Sequence, residues 1–270
     1  ELADIELLAV TRGPGLVPAL LVGVATAKGL AAVARKPLAA VDHLHGHVAA
    51  SFLVSAARPG GFEPPFLSLI ASGGHTLLAL VRDRSPGFEV LGQTLDDAAG
   101  EAFDKGARLL GLGYPGGPAL ERLAREGDPQ AFDFPTASRV AGLNFSFAGL
   151  KTALLYRVRD LGQAEAERRR ADLAAAYQHA IVESLVIRVR RGLEQTGLER
   201  LATGGGVAAN GPLRERLAGL GVELDIPAKE LCTDNAAMIA SAARFVEPMA
   251  YPEYLGLDVY ASGEPMPIAV

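Results

Sequence analysis

Three times along this chain a short apolar run gives way at once to a glycine-rich turn. Ile5–Val10 is closed by Thr11-Arg12-Gly13-Pro14-Gly15, Phe66–Ala71 by Ser72-Gly73-Gly74-His75-Thr76, and Arg200–Ala202 by Thr203-Gly204-Gly205-Gly206. A strand, a glycine turn and a helix make up the repeating unit of an open α/β sheet, whose ligands gather beyond the carboxyl ends of the strands. Glycine at such a turn lets the backbone come close to a phosphate and aim N–H groups at it. Tight turns need glycine for their geometry in any case, so one of them says little. Ser72-Gly73-Gly74 and Gly204-Gly205-Gly206 together, with Tyr114-Pro115-Gly116-Gly117 and Asn210, favour a nucleotide-like ligand.

The rest of the pattern fits that class. Val17–Val33 reads as an Ala-rich helix, and Leu38–Val41 and Leu77–Val81 as strands. Asp96–Leu110, Gly117–Glu126, a long amphipathic stretch Ala164–Thr196, and Asn235–Phe245 read as helices. Gly15–Ala34 is apolar enough to raise a membrane span, but Pro18, Lys28 and its Ala/Gly content favour a buried core helix. The Pro/Gly-rich patch Arg58–Pro65 reads as a surface loop.

At 270 residues the chain has room for one large domain or two lobes. A net charge of −5 argues against holding nucleic acid by overall electrostatics, so any RNA contact must be local or supplied by a partner. The clearest basic stretches are Arg168-Arg169-Arg170 and Arg188, Arg190, Arg191, for which a solvated helix face is the plain alternative. Cys232 is the only cysteine, which rules out an internal disulfide and fits a reducing, cytoplasmic compartment.

The sharpest chemical feature is Val41-Asp42-His43-Leu44-His45-Gly46-His47, which holds three of the chain's five histidines. If Asp42 caps a helix here, His43 and His47 lie one turn apart on one face, a spacing that suits one metal ion, and His45 points elsewhere. On a strand all three would share a face, but Gly46-His47-Val48-Ala49-Ala50 favours helix. Leu44 stands where a zinc peptidase would carry its glutamate. A third ligand must come from elsewhere. Asp234, in Cys232-Thr233-Asp234-Asn235, sits at the start of the next helix, where capping is the alternative to ligation. Two histidines and a carboxylate would suit Fe(II), and also Zn(II). Asp96-Asp97 and Glu101-Ala102-Phe103-Asp104-Lys105 form an acidic helix start, in which Asp104 either serves the helix dipole or accepts from a ribose or amine.

In this order the motifs resemble the TsaD family of bacteria and its Kae relatives. The carriers include Gly13-Pro14-Gly15-Leu16, the His43–His47 pair, Ser72–Thr76, Asp96–Lys105, Tyr114–Pro118, Phe145-Ser146-Phe147, Gly149-Leu150-Lys151, Gly204–Asn210 and Cys232–Asn235. Leu44-His45 departs from the Met-Glu common in relatives, at positions that are not ligands. The resemblance implies an actin/Hsp70-like (ASKHA) α/β fold of two lobes: residues 1–40 with 236–270, and 41–235 with a helical insertion at about 96–196. It also implies a first lobe lacking the family's N-terminal strands, which have no counterpart before Ile5.

The resemblance further implies that His43, His47 and Asp234 hold one divalent metal ion, with Fe(II) favoured over Zn(II). Ile70, Ala71, Ser72, Gly73, Gly74, Asp104, Gly117, Asn210 and Glu121 are implied to contact threonylcarbamoyl-AMP, an adenylate- or ATP-type ligand. The implied reaction moves threonylcarbamoyl to the adenosine beside the anticodon of tRNA. A TsaB-like paralogue and a TsaE-like ATPase are the implied partners, with no membrane involved. The rivals are a metalloendopeptidase, which lacks its usual carboxylate here; a non-catalytic scaffold lobe, which need not keep His43, His47 and Asp234; and a sugar kinase, against which the histidine pair speaks.

Overall fold

The computed structural model describes residues 1–53, 60–85, 87–136 and 140–262. In chain order the elements are β1 (Leu8–Gly13), α1 (Val17–Ala34), β2 (Leu38–Asp42), α2 (His43–Ala49), β3 (Phe66–Ala71), β4 (Thr76–Val81) and β5 (Glu89–Gln93). They continue with α3 (Ala99–Leu109), α4 (Gly116–Ala124), α5 (Ala148–Leu161), α6 (Gln163–Arg168), α7 (Arg170–Thr196) and β6 (Arg200–Gly204). The last are α8 (Gly211–Ala218), β7 (Glu223–Asp225), α9 (Lys229–Cys232) and α10 (Ala236–Ala243). The described residues of Glu1–Pro64, Val81–Phe88 and Asp234–Val270 form one compact unit; Pro65–Leu80 and Glu89–Thr233 form another.

In the first unit β1 and β2 run parallel, in register from Leu8 opposite Leu38 to Thr11 opposite Val41, after which a bulge sets Gly13 opposite Asp42. Helix α1 is the crossover between them, with Pro18 in its first turn, where an N–H needs no partner. It is not the buried core helix that its composition implies. Only Val24 and Ala31 are buried, while Leu21, Val22, Leu30 and Val33 are exposed, because one narrow strip packs against β1 and the C-terminal segment and these four side chains lie outside it. By length and composition alone, α1 would also suffice to cross a membrane.

Helix α2 follows β2 without a loop and lies on α10, where the Ser241 hydroxyl donates to Ala49 O at 2.7 Å. The histidine helix therefore belongs with the first unit, whereas the family resemblance implies a second lobe that begins at residue 41. Leu38 bridges to Met249, and Lys28 donates to the carbonyls of Leu255 (2.8 Å) and Leu257 (2.6 Å), fastening the C-terminal segment to this unit. Of the patch Arg58–Pro65, residues 58 and 59 lie outside the described residues. Phe62 is buried, its N–H donating to Ser51 O at 2.8 Å.

The second unit is built on a five-stranded sheet ordered β5-β4-β3-β6-β7, parallel across β3, β6 and β7 and antiparallel between β4 and β5. Every residue of β3 and β4 is buried, which is why both read as near-continuous apolar runs. Helix α7 lines the core along most of its length. The single helix expected over Ala164–Thr196 is broken at Arg169, whose guanidinium turns to Asp172 (3.3 Å) and to the ring of Phe132 (4.2 Å). Arg188, expected on a solvated or RNA-facing surface, is fully buried and donates to Asn144 O at 2.7 Å and Val140 O at 3.0 Å.

Helix α5 has no capping residue of its own. Its first turn is held by Asp96, which accepts from the Ser146 hydroxyl (2.5 Å) and from the N–H groups of Phe147 (2.7 Å) and Ala148 (3.2 Å). Cys232 is buried, and Arg214 donates to its Sγ at 3.3 Å and to Ala208 O at 2.8 Å.

Candidate functional site

The chain leaves β2 at Asp42 and turns directly into α2. One carboxylate oxygen of Asp42 accepts the N–H groups of Leu44 (2.8 Å) and His45 (3.2 Å), so Asp42 is the helix cap its position implies. The other oxygen accepts from the Tyr260 hydroxyl. The cap makes His43 the first helical residue and puts His47 one turn further on, with ring centroids 4.7 Å apart. His45 faces away, its ring edge-on to Phe88 at 5.3 Å. Burial holds its pKa below the ordinary histidine value, against the opposing pull of Asp42.

Asp234 completes the cluster. Its Oδ1 lies 3.4 Å from His43 Nε2 and 3.6 Å from His47 Nε2. Asn235, not Asp234, caps α10: its side chain accepts from Met238 N at 2.9 Å, and so the capping alternative for Asp234 falls away. Bonds of about 2.1 Å from a tetrahedral ion set neighbouring donors about 3.4 Å apart. The two His–Asp234 separations match that spacing, and the three donor atoms, all within 4.8 Å of one another, form a group that could hold an ion. His47 is buried at the rear while the Asp234 side chain is 75% exposed, so the front of the cluster is open.

In the second unit the turn after β3 is clasped from two sides. Gly100 N–H donates to Ser72 O at 3.0 Å, and a Cβ at Gly100 would stand 2.6 Å from that oxygen. Gly205, at φ +88°, lies so close that a Cβ there would meet Ala71 O at 2.3 Å. Ser72 closes the turn on His75, donating its N–H to His75 O at 2.8 Å. Ile70 and Ala71 are buried beneath, while Gly73 and Gly74 face open space.

The remaining expected residues form two polar groups. Asp104 accepts from Gly116 N at 2.9 Å and so fixes the turn that presents Gly117. Asn210 is buried and caps α8 through Leu213 N (3.1 Å). Its amide donates to Glu121 (3.2 Å) and to Gln178 (3.0 Å). Glu121 also pairs with Arg125 at 2.9 Å. Gln178 and Tyr260 were not singled out from the sequence; Gln178 sits on the buried side of α7, where a lone amide among apolar residues is the signal to look for.

Comparison with known proteins decides the family. The model described as "TsaD: tRNA N6-adenosine threonylcarbamoyltransferase" matches residues 1–241. The chain belongs to the TsaD family. A TsaD-family tRNA N6-adenosine threonylcarbamoyltransferase of Verminephrobacter eiseniae is 53% identical over 248 residues, 90% of this chain and 70% of that protein. One from Symbiobacterium thermophilum is 49% identical over 249 residues, 91% and 71% of the two chains. Among solved structures, T. kodakarensis HypF aligns with TM-score 0.64 at 14% identity over 90% of this chain. The chain spans only 40% of HypF, and that likeness speaks for the actin/Hsp70-like α/β fold alone.

Proposed function

We propose that this chain transfers the threonylcarbamoyl group from threonylcarbamoyl-AMP to the exocyclic amine of the adenosine 3′ of the anticodon, in tRNAs reading codons that begin with A. Family membership gives the reaction class. The observation that carries the reading is the convergence of His43, His47 and Asp234 on one point with an open front. A divalent ion held there, Fe(II) by preference or Zn(II), supplies a Lewis acid for the carbamoyl oxygen. Asp42 and the first turn of α2 hold the two imidazoles in place for it.

Ile70–Gly74, with Asp104, Gly117, Glu121 and Asn210, take the adenylate. The clasped turn offers backbone N–H groups at Gly73 and Gly74, where no side chain intervenes, and Asn210 and Glu121 brace the neighbouring helix start. The metallopeptidase reading has no support at Leu44, whose N–H only serves the Asp42 cap. The exposed apolar side of α1 pairs with a TsaB-like paralogue, and a TsaE-like ATPase completes a cytoplasmic assembly.

Reconstitution tests the whole reading. Labelled adenylate and unmodified tRNA are incubated with the chain, with and without the two partners. Label should enter tRNA over many turnovers only with the partners present. Failure in every mixture defeats the proposal, and multi-turnover transfer by the chain alone defeats the partner requirement.

A further inference from the structure

Tyr260, in the C-terminal segment, meets the cap of the helix that carries the two histidines. Tyr260 N–H donates to Arg12 O at 3.1 Å, and Ala261 O accepts from Gly15 N at 3.0 Å, so the backbone is pinned on both sides of the tyrosine. Lys28 holds the carbonyls of Leu255 and Leu257 just upstream. The phenol ring lies on Gly13, where a Cβ would stand 2.7 Å from Tyr260 Cδ2, and under the Arg12 guanidinium at 5.2 Å. Gly13 is opposite Asp42 in the β1–β2 pair, and the tyrosine hydroxyl donates to Asp42 Oδ2.

Asp42 is thus bound at both oxygens. One receives the first N–H groups of α2, the other the phenol. The rotamer of a capping carboxylate sets where its oxygen meets the first N–H groups of the helix, so a second contact that fixes the rotamer also fixes the first turn, where His43 sits. Groups behind the ligands that fix ligand orientation commonly change metal affinity when removed.

We propose that Tyr260 is a positioning residue for the metal centre, acting through Asp42 to fix the direction of His43. The inference rests on the metal-binding reading of His43, His47 and Asp234. It is tested on the whole chain stripped by chelator and titrated with Co²⁺, with affinity read by competition against a chromophoric chelator and geometry read from the visible bands of bound Co²⁺.

Binding by the wild type but not by His47→Ala establishes the site itself; without it, the metal reading fails. Given that binding, Tyr260→Phe should weaken Co²⁺ by about three- to tenfold and shift the bands, somewhat less than a direct ligand partner would. Asp42→Ser keeps a capping oxygen but has none left for the phenol. In that background Tyr260→Phe should have no further effect. Gly13→Ala, which displaces the ring, should act in the same direction as Tyr260→Phe. Unchanged affinity and bands in Tyr260→Phe overturn the proposal, as does an equal loss in the Asp42→Ser background.

Discussion

Gly46 on α2 makes room for Ile239 on α10: a Cβ at position 46 would stand 2.8 Å from Ile239 Cδ1. The first helix brings His43 and His47, and the second opens just after Asp234. Their close approach brings donors from distant parts of the sequence to one point.

Gly46 therefore sets the spacing of the centre. Ile239 Cδ1 is the end of a flexible side chain, so Gly46→Ala should be absorbed with little change in metal content. Gly46→Val has nowhere to place its branches and should lower metal affinity by about tenfold or more, by the measure of a lost supporting contact. Competition titration of both variants checks this, and equal affinities for Ala and Val would refute the spacing argument.

Removing one of the candidate metal donors is the more direct test. Wild type should carry close to one transition metal per chain, and His47→Ala or Asp234→Ala should lose most of it, as elemental analysis will read. Asn235→Ala should behave differently. It should cost about 1 kcal/mol of stability as a lost helix cap, yet leave the donors present.

At the clasped turn, two glycines next to one another in space should differ in what their substitution does to stability. Gly73 faces open space, so Gly73→Val should leave the melting temperature near wild type but weaken a stable adenylate analogue. Gly100 abuts Ser72 O, a backbone atom that cannot move aside, so Gly100→Ala should cost both stability and binding. Calorimetry on the two variants separates these outcomes. Unchanged affinity in Gly73→Val would place the ligand elsewhere.

Asp96 gives a pH prediction. Burial pushes its carboxyl up, but hydrogen bonds from Ser146, Phe147 and Ala148 outweigh that and hold it below the usual range. With the folded value depressed, its stabilisation is complete above about pH 4, the ordinary aspartate value, and is lost as pH falls through the folded value. Asp96→Ala should cost about 1 kcal/mol at neutral pH as a lost helix cap. The gap in melting temperature between variant and wild type should close in acid. A gap that stays constant down to pH 2 would show that the carboxylate charge contributes nothing.

Much of this was legible beforehand. The histidine helix shows because its signals are local: a capping aspartate, a one-turn repeat and a following apolar run. β3 and β4 show because full burial leaves no polar residue but Ser68 and Thr76 in them. What stayed hidden depends on partners far away in sequence. Helix α5 is capped by Asp96, and the short edge strand β7 is held by pairing with β6 more than by its own residues. Arg188 looks like one more surface arginine until the carbonyls of Val140 and Asn144 are seen around it. Helix α1 misled in the other direction, because apolar composition does not say how much of a helix its own unit will cover.

The burial of Cys232 equips the chain with its own clock. A thiol reagent finds a single target, and that target is covered by the packing of its segment and by Arg214. The rate of labelling in native buffer therefore reports how often the stretch just before Asp234 opens. Ligands that steady this stretch should slow the labelling in proportion to their affinity, with no engineered dye site or added tag.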